Sequence, residues 1–346
     1  MTAACAEASN YPFCTVEPNI ATAPVPDSRL EELDRIVKPE KVIPTTIEFV
    51  DIAGLVKGAS KGEGLGNKFL SYIREVDAIV HVVRCFRDEN VSHAYPGIEP
   101  VRDVDIVNLE LILADIESIE KRIDKAQKMA KSGDKKYITE YEFLGRVKEE
   151  LEKGVPLRNM KLSDEERIIA DQLFLLSGKP VIYAANVDEA DLGKKIEDVS
   201  AVKELLQYAS KEKSEVIVVS AKIEEEIIQL DPGEREIFMT GLGIPVSGMD
   251  RLIKACYRLL GLISFLTIKP PEVRAWTIRK GTKAPDAAGK IHTDFQKGFI
   301  CVEVIDYDTL VDIGSYTAAK EKGLVRREGK DYIMKDGDVA LFKFSV

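Results

Sequence analysis

The feature that most constrains the fold is an alternation of short apolar, strand-like runs with helical segments, sustained up to Val219. Thr45-Thr46-Ile47-Glu48-Phe49-Val50 reads as a strand that ends at Asp51. Ala78-Ile79-Val80-His81-Val82-Val83 is a second, nearly all β-branched, the pattern expected of a strand buried on both faces. Pro180-Val181-Ile182-Tyr183-Ala184-Ala185 and Glu215-Val216-Ile217-Val218-Val219 are a third and a fourth. Strands followed in turn by helices predict an α/β fold with a doubly wound, mostly parallel sheet.

Two departures from that rhythm divide the chain. From Asp105 to Lys131, apolar residues at Ile106, Leu109, Leu113, Ile116, Ile119 and Ile123 are spaced for one helical face. Gly133-Asp134 interrupts the pattern, Tyr137 to Glu152 resumes it, and Gly154-Val155-Pro156 ends it. The expected result is an antiparallel helical hairpin inserted in the sheet domain, either a coiled-coil spacer or a partner-binding arm. Ser163-Asp164-Glu165-Glu166 then reads as an N-cap with acid in the first turn. After the helix Met249–Leu260, Pro270-Pro271 marks a change to β-rich sequence: Arg274–Ile278, Phe299–Val304 and Val339–Phe344, with a turn at Lys335-Asp336-Gly337-Asp338. A second, smaller domain is expected there.

Composition excludes several classes. No run of about 18 apolar residues occurs, so no membrane span is expected. Met1-Thr2-Ala3-Ala4-Cys5-Ala6-Glu7 lacks the basic start and apolar run of a secretory signal. The net charge of -10 argues against a globally basic nucleic-acid binder and leaves only local basic patches. Five scattered cysteines without a Cys-x-x-Cys pair predict neither a disulfide framework nor a zinc site, and Cys85 and Cys301 read as small buried hydrophobes. A cytoplasmic protein is expected.

Chemistry-bearing residues stand at the strand ends, where ligands bind in such sheets. Asp51-Ile52-Ala53-Gly54 follows the first strand. A carboxylate there can hold Mg²⁺ through water, and a glycine amide can approach a γ-phosphate because no Cβ intervenes. The glycine-dense, basic stretch Leu55 to Gly66 suits a switch beside phosphates. Asn186-Val187-Asp188-Glu189 follows the third strand, where G proteins carry an Asn-x-x-Asp that pairs the guanine edge; here the fourth position is Glu189. Ser220-Ala221-Lys222 follows the fourth strand, placed to close a base pocket. Each motif alone is weak; their order along the sheet is specific.

These segments, with Tyr11–Asn19, Phe49–Asn67, Arg274–Ile278, Gly289–Phe295 and Lys297-Gly298-Phe299, resemble the YchF/Obg-like ATPases over essentially the whole chain. The resemblance implies a P-loop NTPase G domain (residues 1–104 and 180–261), an inserted helical arm (105–179) and a β-grasp-like TGS domain (262–346). It implies a preference for ATP over GTP, which the Glu189 variant accompanies, and Mg²⁺ with ATP as substrate. Thr15 matches the switch threonine that reaches Mg²⁺, Asp51 the magnesium-side aspartate and Gly54 the γ-phosphate glycine. Leu55 stands where many G proteins place a water-orienting glutamine; a hydrocarbon cannot orient water, and the family's candidate is His93, in the loop Asn90–Gly97. A surface loop histidine is the alternative reading of His93. His81, inside a strand, reads as structural, and His292 belongs to the TGS domain.

The family begins with a strand and Gly-x-x-x-x-Gly-Lys-Ser/Thr, and the chain contains no such sequence. Met1-Thr2-Ala3 matches the end of the helix that follows that loop, so about twenty residues are expected to be missing ahead of it, the length a strand, P-loop and helix require. Retained Thr15, Asp51, Gly54, Asn186 and Glu189 favour a beginning upstream of Met1 over a P-loop-less derivative. The 346 residues as they stand are expected to hydrolyse ATP weakly or not at all, because the P-loop supplies the phosphate cradle and its lysine.

For partners, the arm concentrates Lys121, Arg122, Lys125, Lys128, Lys131, Lys135 and Lys136 toward its turn, and the TGS domain adds Arg274, Arg279, Lys280, Lys283, Lys290 and Lys297 around Trp276 and Phe295. Basic tips suit phosphates. The resemblance implies a monomer that binds the ribosome or its large subunit, with tRNA or rRNA met through arm and TGS domain. The competing readings are a non-hydrolysing ribosome- or RNA-binding scaffold and a GTP-specific GTPase.

Overall fold

The computed structural model describes residues 19–52, 65–91, 93, 95–195 and 198–345. In chain order, the first elements are β1 (Asn19–Pro24), α1 (Ser28–Val37), β2 (Lys41–Ile43), β3 (Thr46–Asp51), α2 (Leu65–Glu75) and β4 (Ile79–Arg84). The long helices α3 (Pro100–Ala130) and α4 (Lys135–Glu152) follow, then α5 (Asp164–Asp171), β5 (Val181–Asn186), α6 (Ser200–Glu212) and β6 (Glu215–Val219). Next come α7 (Ala221–Gln229), α8 (Pro232–Gly241), α9 (Gly248–Leu259), β7 (Leu262–Lys269), β8 (Glu272–Arg279), α10 (Ala284–Ile291) and α11 (Thr293–Lys297). The chain closes with β9 (Phe299–Asp306), α12 (Tyr307–Ile313), α13 (Tyr316–Glu321), β10 (Arg326–Glu328) and β11 (Asp338–Phe344).

Contacts group these elements into two compact units: residues 1–21 with Val50–Leu252, and Thr22–Phe49 with Ile253–Val346. In the first, β4, β5 and β6 form a parallel sheet in that order, with Ile79 opposite Val181 and Ile182 opposite Glu215. One sheet face is covered by the start of α3 and by α6, through Val83, Tyr183, Ala185, Val104, Val202 and Leu205. The β-branched run Ile79–Val83 led us to expect burial on both faces, and Val82 departs from it at 50% exposure. Among the described residues β4 is an edge strand with β5 as its one neighbour, so that side chain meets solvent.

The inserted hairpin is α3 and α4. Its stripe of Ile112, Ile119, Phe143, Leu144, Val147 and Leu151 closes between the two helices, as the helical spacing predicts. Helix α3 starts at Pro100, earlier than the apolar periodicity shows, because proline is favoured in the first helical turn. Ser163 forms a full capping box with Glu166 on α5. The root of the hairpin is tied to the sheet by a buried polar network. Arg158 donates to Asn108 Oδ1 (2.9 Å) and pairs with Glu212, whose carboxylate accepts the Tyr183 hydroxyl (2.7 Å). Asp115 accepts the backbone N–H groups of Leu176 and Ser177 at 2.8 and 2.7 Å.

The second unit holds a six-stranded mixed sheet in the order β10-β9-β11-β7-β8-β2. Alternation along the strands sorts its side chains into two cores. Phe265, Ile278, Val302, Val304 and Phe342 face α10, through Ala284, Ala287 and Ala288. Leu266, Val273, Ala275, Ile305 and Val339 face the opposite layer, made of Leu30 and Leu33 from α1, Leu310 from α12 and Ala319 from α13. Strand β2 extends the same sheet by pairing parallel with β8, Lys41 opposite Glu272 and Ile43 opposite Arg274.

The sequence reading assigned Thr22–Phe49 with its neighbours to the G domain; the contacts place it with the C-terminal residues instead. Leu30 and Leu33 seal an apolar sheet face that would otherwise meet water. Pro270-Pro271, read as a border, sits inside the β7–β8 hairpin joined by a cis peptide bond. Strand β7 lacked a clear alternating signature because Phe265 and Leu266 are buried on opposite faces.

Candidate functional site

The carboxyl ends of β5 and β6 place two of the expected motifs side by side. Asn186 is the last residue of β5, and its Oδ1 accepts the backbone N–H of Ala221, the first residue of α7 (3.0 Å). Val187 is buried and donates its N–H to the Val219 carbonyl (2.9 Å). Asp188 then caps a short 3₁₀ turn, Glu189–Asp191, by accepting the Ala190 N–H (3.1 Å). This turn holds Glu189 Oε2 3.3 Å from Lys222 Nζ. Ser220 is buried at the N-cap of α7. The hydrogen bond and ion pair to the Glu189 carboxylate raise the Lys222 pKa. Both side chains of that pair are substantially exposed, so it orients the groups more than it stabilises the fold. Behind the turn lies a cavity of about 190 Å³ lined by Val187, Leu192, Val202 and Arg251, with Arg251 donating to the Val218 carbonyl (2.9 Å).

Asp51 ends β3 and is exposed. Thr15, Gly54 and Leu55 lie outside the described residues. Among the described residues no group of three or more His, Cys, Asp or Glu side chains could hold a metal ion. A Mg²⁺ bound with a nucleotide needs less, since it keeps waters and takes one or two carboxylates besides the phosphates. Asp51 is the exposed carboxylate at the end of β3.

His93 lies in a loop gripped at both ends by arginines. Arg84, the last residue of β4, donates to the carbonyls of Phe86, Asp88 and Val91 at 2.8–3.2 Å. Arg102, in the first turn of α3, donates to the Pro96 carbonyl (3.0 Å) and stacks over Tyr95. His93 Nδ1 is 2.8 Å from the Tyr95 carbonyl and 3.2 Å from its N–H. Nε2 is 3.2 Å from Asp103 Oδ2. Asp103 is a partner the sequence reading missed; its only local signal is an acid in the first turn of a long helix. His81, read as structural, sits in β4 near Tyr183, and burial with the neighbouring Arg158 lowers its pKa to about 4. His292 caps α11 by accepting the Asp294 N–H.

The basic residues of the arm turn, Lys125, Lys128, Lys131, Lys135 and Lys136, are exposed. Lys121 pairs with Glu117 and Arg122 with Glu140. In the C-terminal unit the Arg274 guanidinium stacks on Trp276, 4.1 Å from the ring centroid. No described helix is long and apolar enough to cross a membrane. Cys85, Cys256 and Cys301 are buried, and none is in a disulfide among the described residues.

Comparison with known proteins gives matches at every level. A model described as 50S ribosome-binding GTPase matches residues 1–113, and the model YchF-GTPase_C, described as a protein of unknown function, matches residues 262–345. The chain is 51% identical to the ribosome-binding ATPase YchF of Bacillus subtilis over 346 residues, all of this chain and 94% of the relative. The Escherichia coli O157:H7 ribosome-binding ATPase YchF is 48% identical over the same span. A solved structure of the YchF GTPase of Schizosaccharomyces pombe superposes with a TM-score of 0.83 at 35% identity, covering 97% of this chain and 90% of the other.

Proposed function

The chain belongs to the YchF family of ribosome-binding ATPases, and from that premise we propose that it is an ATP-binding, ATP-hydrolysing switch that binds the ribosome. The observation that carries this reading is identity of 51% across its whole length to a relative with that name. The base end of the site supports it: Asn186, Val187 and Glu189 stand against Ser220, Ala221 and Lys222, with Asn186 and Ala221 hydrogen-bonded. Asn186 fixes the spacing of the two loops, buried Val187 anchors the first of them, Ala221 lines the base plane, and Glu189 offers a carboxylate acceptor to the base edge.

In this reading Asp51 and Thr15 hold Mg²⁺ beside the phosphates, and the Gly54 amide contacts the γ-phosphate. Bound Mg²⁺ neutralises charge that develops on the phosphoryl oxygens. Leu55 contributes no hydrogen bond to water, so His93 is assigned to position the attacking water. The large subunit is the proposed contact, with rRNA or tRNA met by the lysines of the arm turn and the basic face of the C-terminal domain. The working unit is a cytoplasmic monomer. Its parts are a G domain drawn from 1–104 and 180–261, the arm 105–179 and the TGS domain 262–346, with Thr22–Phe49 shared into the last.

Nucleotide choice tests the reading directly. ATP and GTP are competed against one labelled nucleotide, with Mg²⁺, and thermal stabilisation is followed in parallel. ATP is expected to displace the label at lower concentration than GTP and to add about 2.7 kcal/mol at 100 times its dissociation constant. Preference for GTP, changed by Glu189→Asp, assigns a GTPase; no shift with either nucleotide assigns a scaffold.

A further inference from the structure

Both ring nitrogens of His93 are engaged inside the protein. Nδ1 faces the Tyr95 backbone, 3.2 Å from its N–H and 2.8 Å from its carbonyl. Nε2 faces Asp103 Oδ2 at 3.2 Å, with the His93 side chain 24% and the Asp103 side chain 16% exposed. That carboxylate oxygen is buried and takes no hydrogen bond from any described residue, the imidazole included, which lies at ion-pair distance from it. The other oxygen, Oδ1, accepts from Arg102 Nε at 3.0 Å. A buried carboxylate oxygen without a donor is costly, and the group in reach is the imidazole Nε2–H. The 2.8 Å approach of Nδ1 to the Tyr95 carbonyl suits a proton on Nδ1, and a proton on Nε2 is the one that Asp103 Oδ2 can take. Both ring nitrogens therefore face groups of the protein.

We propose that Asp103 is the positioning residue of His93: it docks the imidazole on the first turn of α3 as the Nε2–H form, and His93 reaches a water only when this pairing opens. The grip of Arg84 and Arg102 on the two ends of the loop makes the docked place defined rather than one of many. Arg102 also fixes Asp103 Oδ1, so Oδ2 is left aimed at the ring. The functional weight of this docking rests on the reading of His93 as the water-positioning group; the docking itself does not.

The chain has three histidines, so the imidazole N–H signals are few enough to resolve one by one. Nitrogen-15 spectra of the full chain are recorded for the parent, His93→Gln (which assigns the His93 signals), Asp103→Asn and Asp103→Ala. The parent is expected to show a His93 Nε2–H protected from solvent exchange. Exchange should be about tenfold faster or more in Asp103→Asn, the ratio for losing a charge-assisted bond, and the signal should vanish in Asp103→Ala. The signals of His81 and His292 should stay in place in both variants, which shows that the fold is kept. A parent chain whose His93 Nε2–H is unprotected, or one whose protection survives Asp103→Ala, overturns the docking. The weak ATP turnover expected of the parent, measured with ribosomes, separates the two ideas. Loss of protection in Asp103→Ala beside unchanged turnover in His93→Gln supports the docking and removes His93 from the chemistry. Unchanged protection in Asp103→Ala beside lost turnover in His93→Gln does the reverse.

Discussion

A Cβ at Gly248 would lie 3.0 Å from Glu224 Oε1 and Val219 Cγ1 and 3.2 Å from the Val219 Cα. The Gly248 N–H donates to the same Glu224 carboxylate at 2.6 Å, so side chain and backbone compete for one space. Gly248→Ala is expected to destabilise by about 1–3 kcal/mol, the range for overpacking, measured by denaturant unfolding. A stability equal to the parent's would show that Glu224 can move aside. The second residue-scale expectation concerns pH. Burial, with Arg158 nearby, lowers the His81 pKa from 6.5 to about 4. Between those values the unfolded chain takes up a proton that the folded chain refuses. The stability contributed by neutral His81 is therefore full above the usual imidazole value and is lost as pH falls toward 4. His81→Gln should shrink the loss between pH 7 and pH 5 by about 2 kcal/mol, and parallel losses in both proteins would assign the acid limb to other groups. The placement of the expected motifs was legible where a strand ends, as at Asn186 on β5 and Ser220 after β6. Asp103 was not legible, because an acid in a helix's first turn is common and its meaning depends on which side chain comes to face it.

Among elements, the α3–α4 hairpin was readable from its apolar period, since one stripe of a helix buries against one stripe of its partner. What the period does not give is the use of the turn. Lys128, Lys131 and Lys135 are exposed there. Replacing all three by Ala is expected to weaken sedimentation with ribosomes and flatten its salt dependence, by a slope of up to about one per lost phosphate contact, while ATP competition stays as in the parent. Unaltered sedimentation would place the ribosome contact elsewhere. The short elements α1 and β2 were the hardest to assign. Strand β2 spans only Lys41–Ile43, and α1 is an ordinary amphipathic helix with a good cap at Asp27. Nothing local says which sheet they join.

At the scale of the molecule, the C-terminal unit is completed by residues that lie more than two hundred positions upstream. Leu33 is fully buried in its core. Trp276, the sole tryptophan, stands on β8 of the same sheet and reports on it by fluorescence. Leu33→Ala is expected to lower the stability read by Trp276 by about 2–5 kcal/mol, as for a leucine removed from a packed core. A Trp276 transition that ignores Leu33 would mean that α1 is not part of that core. The sequence by itself determined three of the parallel strands, the hairpin and the β-rich C-terminal region, whereas Thr45–Val50, expected in the same sheet, is β3 and pairs with β1 in a sheet of two. The elements so determined follow from period, side-chain branching and turn residues, which act within a few positions of one another. Only the tertiary structure decided that Thr22–Phe49 groups with the C-terminal residues and lends β2 to their sheet, that Arg158 and Glu212 root the arm, and that His93 faces Asp103. These are pairings between distant positions, chosen by which apolar faces and buried polar groups remain to be covered once the local elements exist, and no local pattern encodes that remainder.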